Sequence, residues 1–442
     1  MRFLLILVFA GLMDAARSFT PDSAVGGGAS GTVLACGYLL LSAFFVGGLF
    51  SKIGLPKLTG YIVIGVLVGP KVLALVTAPM AANLQIFNGT AIALIALTAG
   101  VELDIRAMKP LLKSITWLIV LAIFGTVGLL STAAYLSRNL LPFMHHLTAV
   151  QAAAVSLVLG VTMVAQSPAV VVALRAEMEA DGPLSRTVLG VVVMSDLVVI
   201  LLFAVVSSLT KTLFGNNADA LHTAGMLAWE ILGSIGAGIL VGWVLALYLR
   251  YMKGGAALFV VTAAFVVAEV GQRIDLDPLI VMLAAGMLIR NFTQSGERLH
   301  HEIEASSLPV YVVFFAVTGA TIHIEELRVV GIAALIFVGT RAAGFLSLGW
   351  LASKIAGADD AVRKYVGMGL MPQAGLALAL ALLFGKTFPH FGAEASALVL
   401  GGVAINEMVA PVLYRYALVR SGEAGKLARS VESAGAVPAP SH

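Results

Sequence analysis

Apolar runs of about 18 residues or more, each closed by a short polar break, follow one another from residue 31 to residue 418. A helix that is apolar on every face has no solvent-facing side, so a chain built of such runs belongs in a bilayer. Of the 442 residues 60% are hydrophobic and 12% charged, which excludes the two or three soluble domains that length alone suggests. The fold class is therefore an all-α polytopic membrane protein. Candidate spans fall at about 31–51, 58–78, 85–102, 111–137, 147–174, 187–210, 225–249, 254–272, 276–290, 304–324, 329–353, 361–386 and 394–418, thirteen in all.

The ends and the charges set the orientation. Residues 1–30 combine Arg2, an apolar run from Phe3 to Met13, Ala15 and Ala16, and then Gly and Ser, the pattern of a signal peptide and leader; an uncleaved interfacial helix is the alternative. Of the 27 Lys and Arg residues, eighteen fall in the breaks and tail on one side and six on the other, with Arg2 and Arg17 in the leader and Arg341 inside a span. The positive-inside rule then puts the N-terminus outside and the C-terminus in the cytoplasm, in an inner (plasma) membrane of bacterial type. The net charge of +3 comes from these dispersed residues and gives no reason to expect nucleic acid as a partner. Cys36 stands alone, which rules out an internal disulfide. Residues 419–442 are small and polar and read as a disordered cytoplasmic tail.

Internal similarity organises the spans. "GYIVIGVLVGP" (Gly60–Pro70) resembles "LIVMLAAGMLI" (Leu279–Ile289), and "LTAGVELD" (Leu97–Asp104) resembles "AVTGATIHI" (Ala316–Ile324). Spans one to six and eight to thirteen then form two repeats, with the seventh, at 225–249, as a linker. An odd number of crossings between them inverts the second repeat. Pro168 and Pro372 fall in matching apolar spans, beside Gln166 and Ser167 and beside Gln373. Proline removes a backbone donor and clashes with the preceding turn, so both spans are expected to break, freeing carbonyls near the midplane. Two crossed broken helices of this kind can hold an ion, with Thr162, Gln166, Ser167 and Gln373 as neutral oxygen donors.

Charges inside spans complete the candidate site. Asp196 lies in "VVVMSDLVVILLF" (Val191–Phe203), next to Ser195; Arg341 lies mid-way along the eleventh span, and Asn406 and Glu407 along the thirteenth. A charge at mid-bilayer costs about 2.5–3.5 kcal/mol on insertion scales, so it is kept for function or for pairing. Arg341 can pair with Asp196 or with Glu407. Asp196, beside unwound backbone, can hold a monovalent cation or a proton in turn. Glu102 and Asp104 either line an entry funnel or are solvated at a span end.

Together "LTGYIVIGVLVGP", "LTAGVELD", "QSPAVV", Asp196, "FFAVTG", Arg341 and "MPQAGLALAL" resemble the monovalent cation:proton antiporter superfamily, in particular its branch of Kef-type and NapA-type exchangers. The resemblance implies the NhaA/NapA-like antiporter fold and a homodimer. Residues of about 31–102 and 254–324 would be the dimerisation part, and about 111–210 and 329–418 a core that moves as an elevator, the whole antiporter domain running from 31 to 418. It also implies Asp196 as the cation-binding acid, Na⁺ or K⁺ and H⁺ as transported ions, no cofactor, lipid surroundings and no enzymatic reaction. Ser195 stands where relatives carry Asp, Asn or Gln, so one acid in the motif points to electroneutral one-for-one exchange. A cation-coupled organic-anion symporter on the same fold, or a non-transporting sensor or scaffold, are the competing classes.

Overall fold

The computed structural model describes residues 31–84, 86–214, 229–252, 255–293, 296–321, 324–373, 375–388 and 391–426, with Gly11 and Gly225. Apart from Gly11, the expected signal peptide and leader lie outside the described residues, as does the tail from residue 427. All regular structure among the described residues is helical. The first half runs α1 (Thr32–Lys52), α2 (Lys57–Val68), α3 (Ile86–Glu102), α4 (Lys109–Leu136), α5 (Ala149–Val164), α6 (Pro168–Glu177) and α7 (Pro183–Leu213). After α8 (Trp229–Tyr251) come α9 (Ala256–Arg273), α10 (Pro278–Phe292), α11 (Gly296–Thr321), α12 (Ile324–Ala356), α13 (Asp360–Gly369), α14 (Gly375–Thr387) and α15 (Gly392–Arg420).

Among the described residues seven helices are long and apolar enough to cross a membrane, or eight if Ala78–Leu84 and Gly89–Glu102, bent by 40°, count as one span. Five shorter apolar helices, of 10–17 residues, occupy other predicted spans. They fall short of the ~20 residues that cross a full hydrocarbon core, which is why length alone does not return thirteen. Two of the predicted spans are broken, each for a local cause. The fifth span is two helices because Pro168 starts α6, with Ser167 as N-cap accepting from Val170 N at 3.3 Å, while Ala165 and Ser167 are extended. The twelfth likewise stops at Gly369 and resumes at Gly375, with Pro372 in the gap.

The helices pack in two groups. In one, α1, α2, α3, α9, α10 and α11 lie together with α8 against α10; in the other, α4 to α7 lie with α12 to α15. Glycine sets the closest approaches in the first group. A Cβ on Gly65 of α2 would sit 2.1 Å from Ala316 O of α11, and one on Gly319 of α11 2.2 Å from Ile62 O of α2. On the other pair of helices, a Cβ on Gly100 of α3 would sit 2.3 Å from Leu283 O of α10, and one on Gly286 of α10 2.5 Å from Leu97 O of α3. The repeat exchanges the second span with the ninth and the third with the tenth, so it turns the α2–α11 crossing into the α10–α3 crossing. Both crossings use backbone-to-backbone contact that only small residues permit in lipid.

One end of the molecule carries a cluster of charges joined across the two groups. Arg175, at the end of α6, pairs with Glu102 of α3, and with Asp181 at 2.9 Å. Glu177 accepts from Lys57 N, at the start of α2, at 2.7 Å, and Asn291 Oδ1 accepts from Ile105 N at 2.8 Å. Glu102 is thus paired across the two groups rather than solvated. Residues 419–426 also differ from the loose tail their composition suggests. Glu423 is 1% exposed and accepts from Leu184 N at 2.6 Å and Ser185 N at 2.8 Å, satisfying the unpaired amides at the start of α7.

The glycine contacts give a direct test. Gly286→Ala is expected to lower stability by about 1–3 kcal/mol or more, since the added methyl meets backbone that cannot swing away. Gly128→Ala, where a Cβ meets nothing within 4 Å, is expected to change it by less than ~1 kcal/mol. Thermal unfolding of the two variants in the same detergent separates them.

Candidate functional site

The two breaks brace each other through a reciprocal set of side-chain bonds. Gln166 Nε2, in the first break, donates to Leu370 O in the second at 3.3 Å, and Gln373 Nε2, in the second, donates to Met163 O in the first at 2.7 Å. Each glutamine is then held from a neighbouring span. Ser195 Oγ of α7 donates to Gln166 Oε1 at 2.6 Å, with Val192 O at 2.9 Å, and Asn406 Nδ2 of α15 donates to Gln373 Oε1 at 2.7 Å. Each holding residue directly precedes a buried acid, Asp196 in one repeat and Glu407 in the other.

Arg341 closes the crossing from α12. It is 1% exposed, and its guanidinium donates to Met163 O at 2.8 Å, Ala165 O at 3.0 Å and Met371 O at 2.6 Å. Its charge also lies over the Phe345 ring, 4.7 Å from the centroid. The expected ion pair with Asp196 or Glu407 does not form. Neither oxygen of Asp196 and not Oε1 of Glu407 has a hydrogen-bond partner. The reason is supply: breaking two helices leaves carbonyls pointing at one spot, and a planar fork of five N–H donors satisfies three of them at once.

Asp196, 5% exposed, opens instead on a cavity of about 840 Å³ between the two helix groups. Gln166, Ser167, Pro168 and Asp196 line it from one group, and Asp277, just before α10, from the other. The rest of its lining is apolar. Of the other predicted residues, Thr162, Ser195, Arg341, Pro372, Gln373, Asn406 and Glu407 are not part of the lining. Thr162 spends its hydroxyl on Val158 O at 2.8 Å within its own helix. The site therefore has two layers: a carboxylate with Gln166 and Ser167 oxygens at the cavity wall, and behind them the polar crossing that fixes the wall.

Residues 40–419 match the family model described as sodium/hydrogen exchanger, transmembrane. The chain belongs to the sodium/hydrogen exchanger family. As a member it is an integral membrane transporter rather than an enzyme, and it uses no cofactor. Two solved structures of the sodium proton antiporter MjNhaP1 from Methanocaldococcus jannaschii, one of them at pH 8 and the other an electron-microscopy map, have the same fold. They superpose with TM-scores of 0.62 and 0.66 over 90% and 92% of this chain and 98% and 99% of theirs, at 17% identity. The iron transporter MagA of Paramagnetospirillum magneticum is 27% identical over 287 residues, which are 63% of this chain. The chain spans 61% of that relative's length.

Sequence reasoning missed Asp277 in this exchanger-family chain. "DLDP" before an apolar run reads as a helix start, and Asp277 does cap α10, its Oδ1 accepting from Leu279 N at 2.8 Å. Nothing local says that the cap faces Asp196 across a cavity. The role of Arg341 can be tested on stability. Arg341→Met is expected to destabilise the protein by about 3 kcal/mol or more, because the Ala165 and Met371 carbonyls lose their donor and Met163 O keeps only Gln373 Nε2. Arg341→Lys keeps the charge but not the fork and is expected to fall between, as read from melting in detergent.

Proposed function

We propose that this family member exchanges a monovalent cation, Na⁺ or K⁺, for protons, with Asp196 binding one or the other in turn. The observation that carries the reading is the position of Asp196: a buried carboxylate without a hydrogen-bond partner, on the wall of the cavity that separates the two helix groups. A carboxylate with neutral Gln166 and Ser167 oxygens beside it suits a hard monovalent ion, and a proton neutralises the same group when the ion leaves. Exclusive occupancy by cation or proton couples the two fluxes. With Asp196 the one of the two buried core acids that lines the cavity, the exchange is one for one and electroneutral.

The elevator mechanism belongs to the same proposal. The group of α4 to α7 with α12 to α15 is the moving core, and α1 to α3 with α9 to α11 form the fixed part and the homodimer contact. Separate packing of the two groups, with α8 against the fixed one and the cavity between them, supports this division. The lysine and arginine distribution supports an outside N-terminus and a cytoplasmic C-terminus, in a bacterial inner membrane. An iron substrate, which the name of the MagA relative raises, gains no support from the described residues, where no three His, Cys, Asp or Glu side chains converge on a metal-sized site.

Proteoliposomes with a trapped pH dye test the reading. Addition of Na⁺ or K⁺ is expected to collapse a pH gradient in the wild type, and Asp196→Asn to reduce that flux at least ~100-fold, as loss of the ion-carrying acid should. Clamping the voltage with potassium and ionophore is expected to leave the sodium-driven exchange unchanged. Failure of Na⁺, K⁺ and Li⁺ alike to move protons in folded wild-type protein rejects the exchange, and a voltage-dependent driving force rejects one-for-one stoichiometry.

A further inference from the structure

We propose that Asp277 is the entrance residue of the transport cavity, a carboxylate that draws a monovalent cation in and passes it to Asp196; the inference rests on the exchange proposed above. Two carboxylates line this cavity, one from each helix group. Asp196 belongs to α7, and Asp277 precedes the first residue of α10. Asp277 is fixed in place by bonds on both sides: its backbone N–H donates to Ser234 Oγ of α8 at 2.9 Å, and its Oδ1 accepts from Leu279 N at 2.8 Å. Its field reaches Asp196, and Glu230 at the start of α8 lies within the field of both Asp277 and Asp275.

Position argues for more than a cap. The C-terminal end of α10 sits with the charged cluster, where Arg290 meets Asp104 at 3.5 Å and Asn291 Nδ2 donates to Leu103 O at 2.9 Å. Asp277 is at the opposite end of the same helix. Asp277 is half-buried beside the exposed residues 273–275, so it stands recessed within the protein rather than on its outer surface. A neutral Ser or Asn caps a helix as well as Asp does. At such a cap the helix dipole offsets only part of the desolvation cost of a charge, whereas a cation path through an otherwise apolar cavity needs a negative group short of the binding acid. Asp196, buried and unpartnered on the same wall-to-wall cavity, is the acceptor such a path requires.

The test uses full-length protein in proteoliposomes, measuring cation-dependent proton flux against Na⁺ concentration for wild type, Asp277→Asn, Asp277→Ser, Asp277→Glu and Asp196→Asn, with ionic strength held by choline chloride. Asn and Ser keep the cap and remove the charge. They are expected to raise KM for Na⁺ by roughly three- to tenfold, with a smaller change in maximal rate, and Glu to restore KM. Because Asp277 is recessed, the KM difference is expected to persist at high choline, where a surface charge would be screened. Equal KM for wild type and both neutral variants makes Asp277 a cap alone and overturns the proposal; so does a KM difference that vanishes in high salt. The rise in melting temperature that Na⁺ gives the detergent-solubilised protein reads the site without transport. A smaller rise in Asp277→Asn than in wild type supports the entrance role, and an unchanged one overturns it. Wild-type protein that moves no protons with any cation rejects the exchange itself, a result distinct from a wild type that works beside an Asp277→Asn variant with unaltered KM.

Discussion

Arg341 and the three carbonyls it serves hold the centre of this protein together. Proline breaks in two neighbouring spans free backbone acceptors where no water is available, and each acceptor left unpaired in hydrocarbon costs several kcal/mol. A guanidinium with no carboxylate partner is costly there too. Put together, the two liabilities cancel: Met163, Ala165 and Met371 oxygens surround the charge with the negative ends of their dipoles, and the Phe345 face covers it. The arrangement also leaves Asp196 without a fixed counter-charge. An acid already paired to an arginine would have to give up that partner for every ion it carried, whereas this one faces a cavity with both oxygens unbonded.

Two-fold organisation extends from the crossing outwards. Gln166 and Gln373 reach reciprocally into each other's breaks, Ser195 and Asn406 hold them, and Asp196 and Glu407 follow as repeat-related acids. The glycine crossings of α2 with α11 and α3 with α10 obey the same operation. The structure departs from the symmetry at one point. The cavity reaches Asp196 and not Glu407, so of the two buried acids a single one opens on it.

Much of this was legible in the sequence because a membrane span is a uniform background on which anomalies stand out. Pro168, Pro372, Asp196, Arg341 and Glu407 break an apolar pattern, and each lies at the crossing or beside it. What side chains bond to was less legible. Arg341 was expected to meet a carboxylate, but backbone carbonyls carry no sequence signal, so its true partners could not be read. Thr162 has the type of an ion ligand, but it is not part of the cavity lining, and its hydroxyl donates to the carbonyl four residues back, as a threonine in a helix can. Asp277 and Glu423 were hidden for the opposite reason. Each sits in a polar stretch where an acid is unremarkable, and only the tertiary fold turns one towards the cavity and buries the other under α7.

The charged end sets what any relative motion of the two groups must break. Glu102 and Arg175 join α3 to α6, and Glu177 joins α6 to the first amide of α2, so these contacts tie the half-helix beyond the first break to the opposite group. Both side chains of the Glu102–Arg175 pair are 8% exposed, and parting them without water would strand two charges. If the proposed elevator parts them where water can enter, solvation of the two charges offsets the loss of the pair. Because α6 begins at Pro168, beside Gln166 and Ser167 of the break, one short helix connects the charged end to the wall of the cavity that holds Asp196. In the elevator proposed above, opening that end and reshaping the cavity wall would be a single movement, the coupling that alternating access requires.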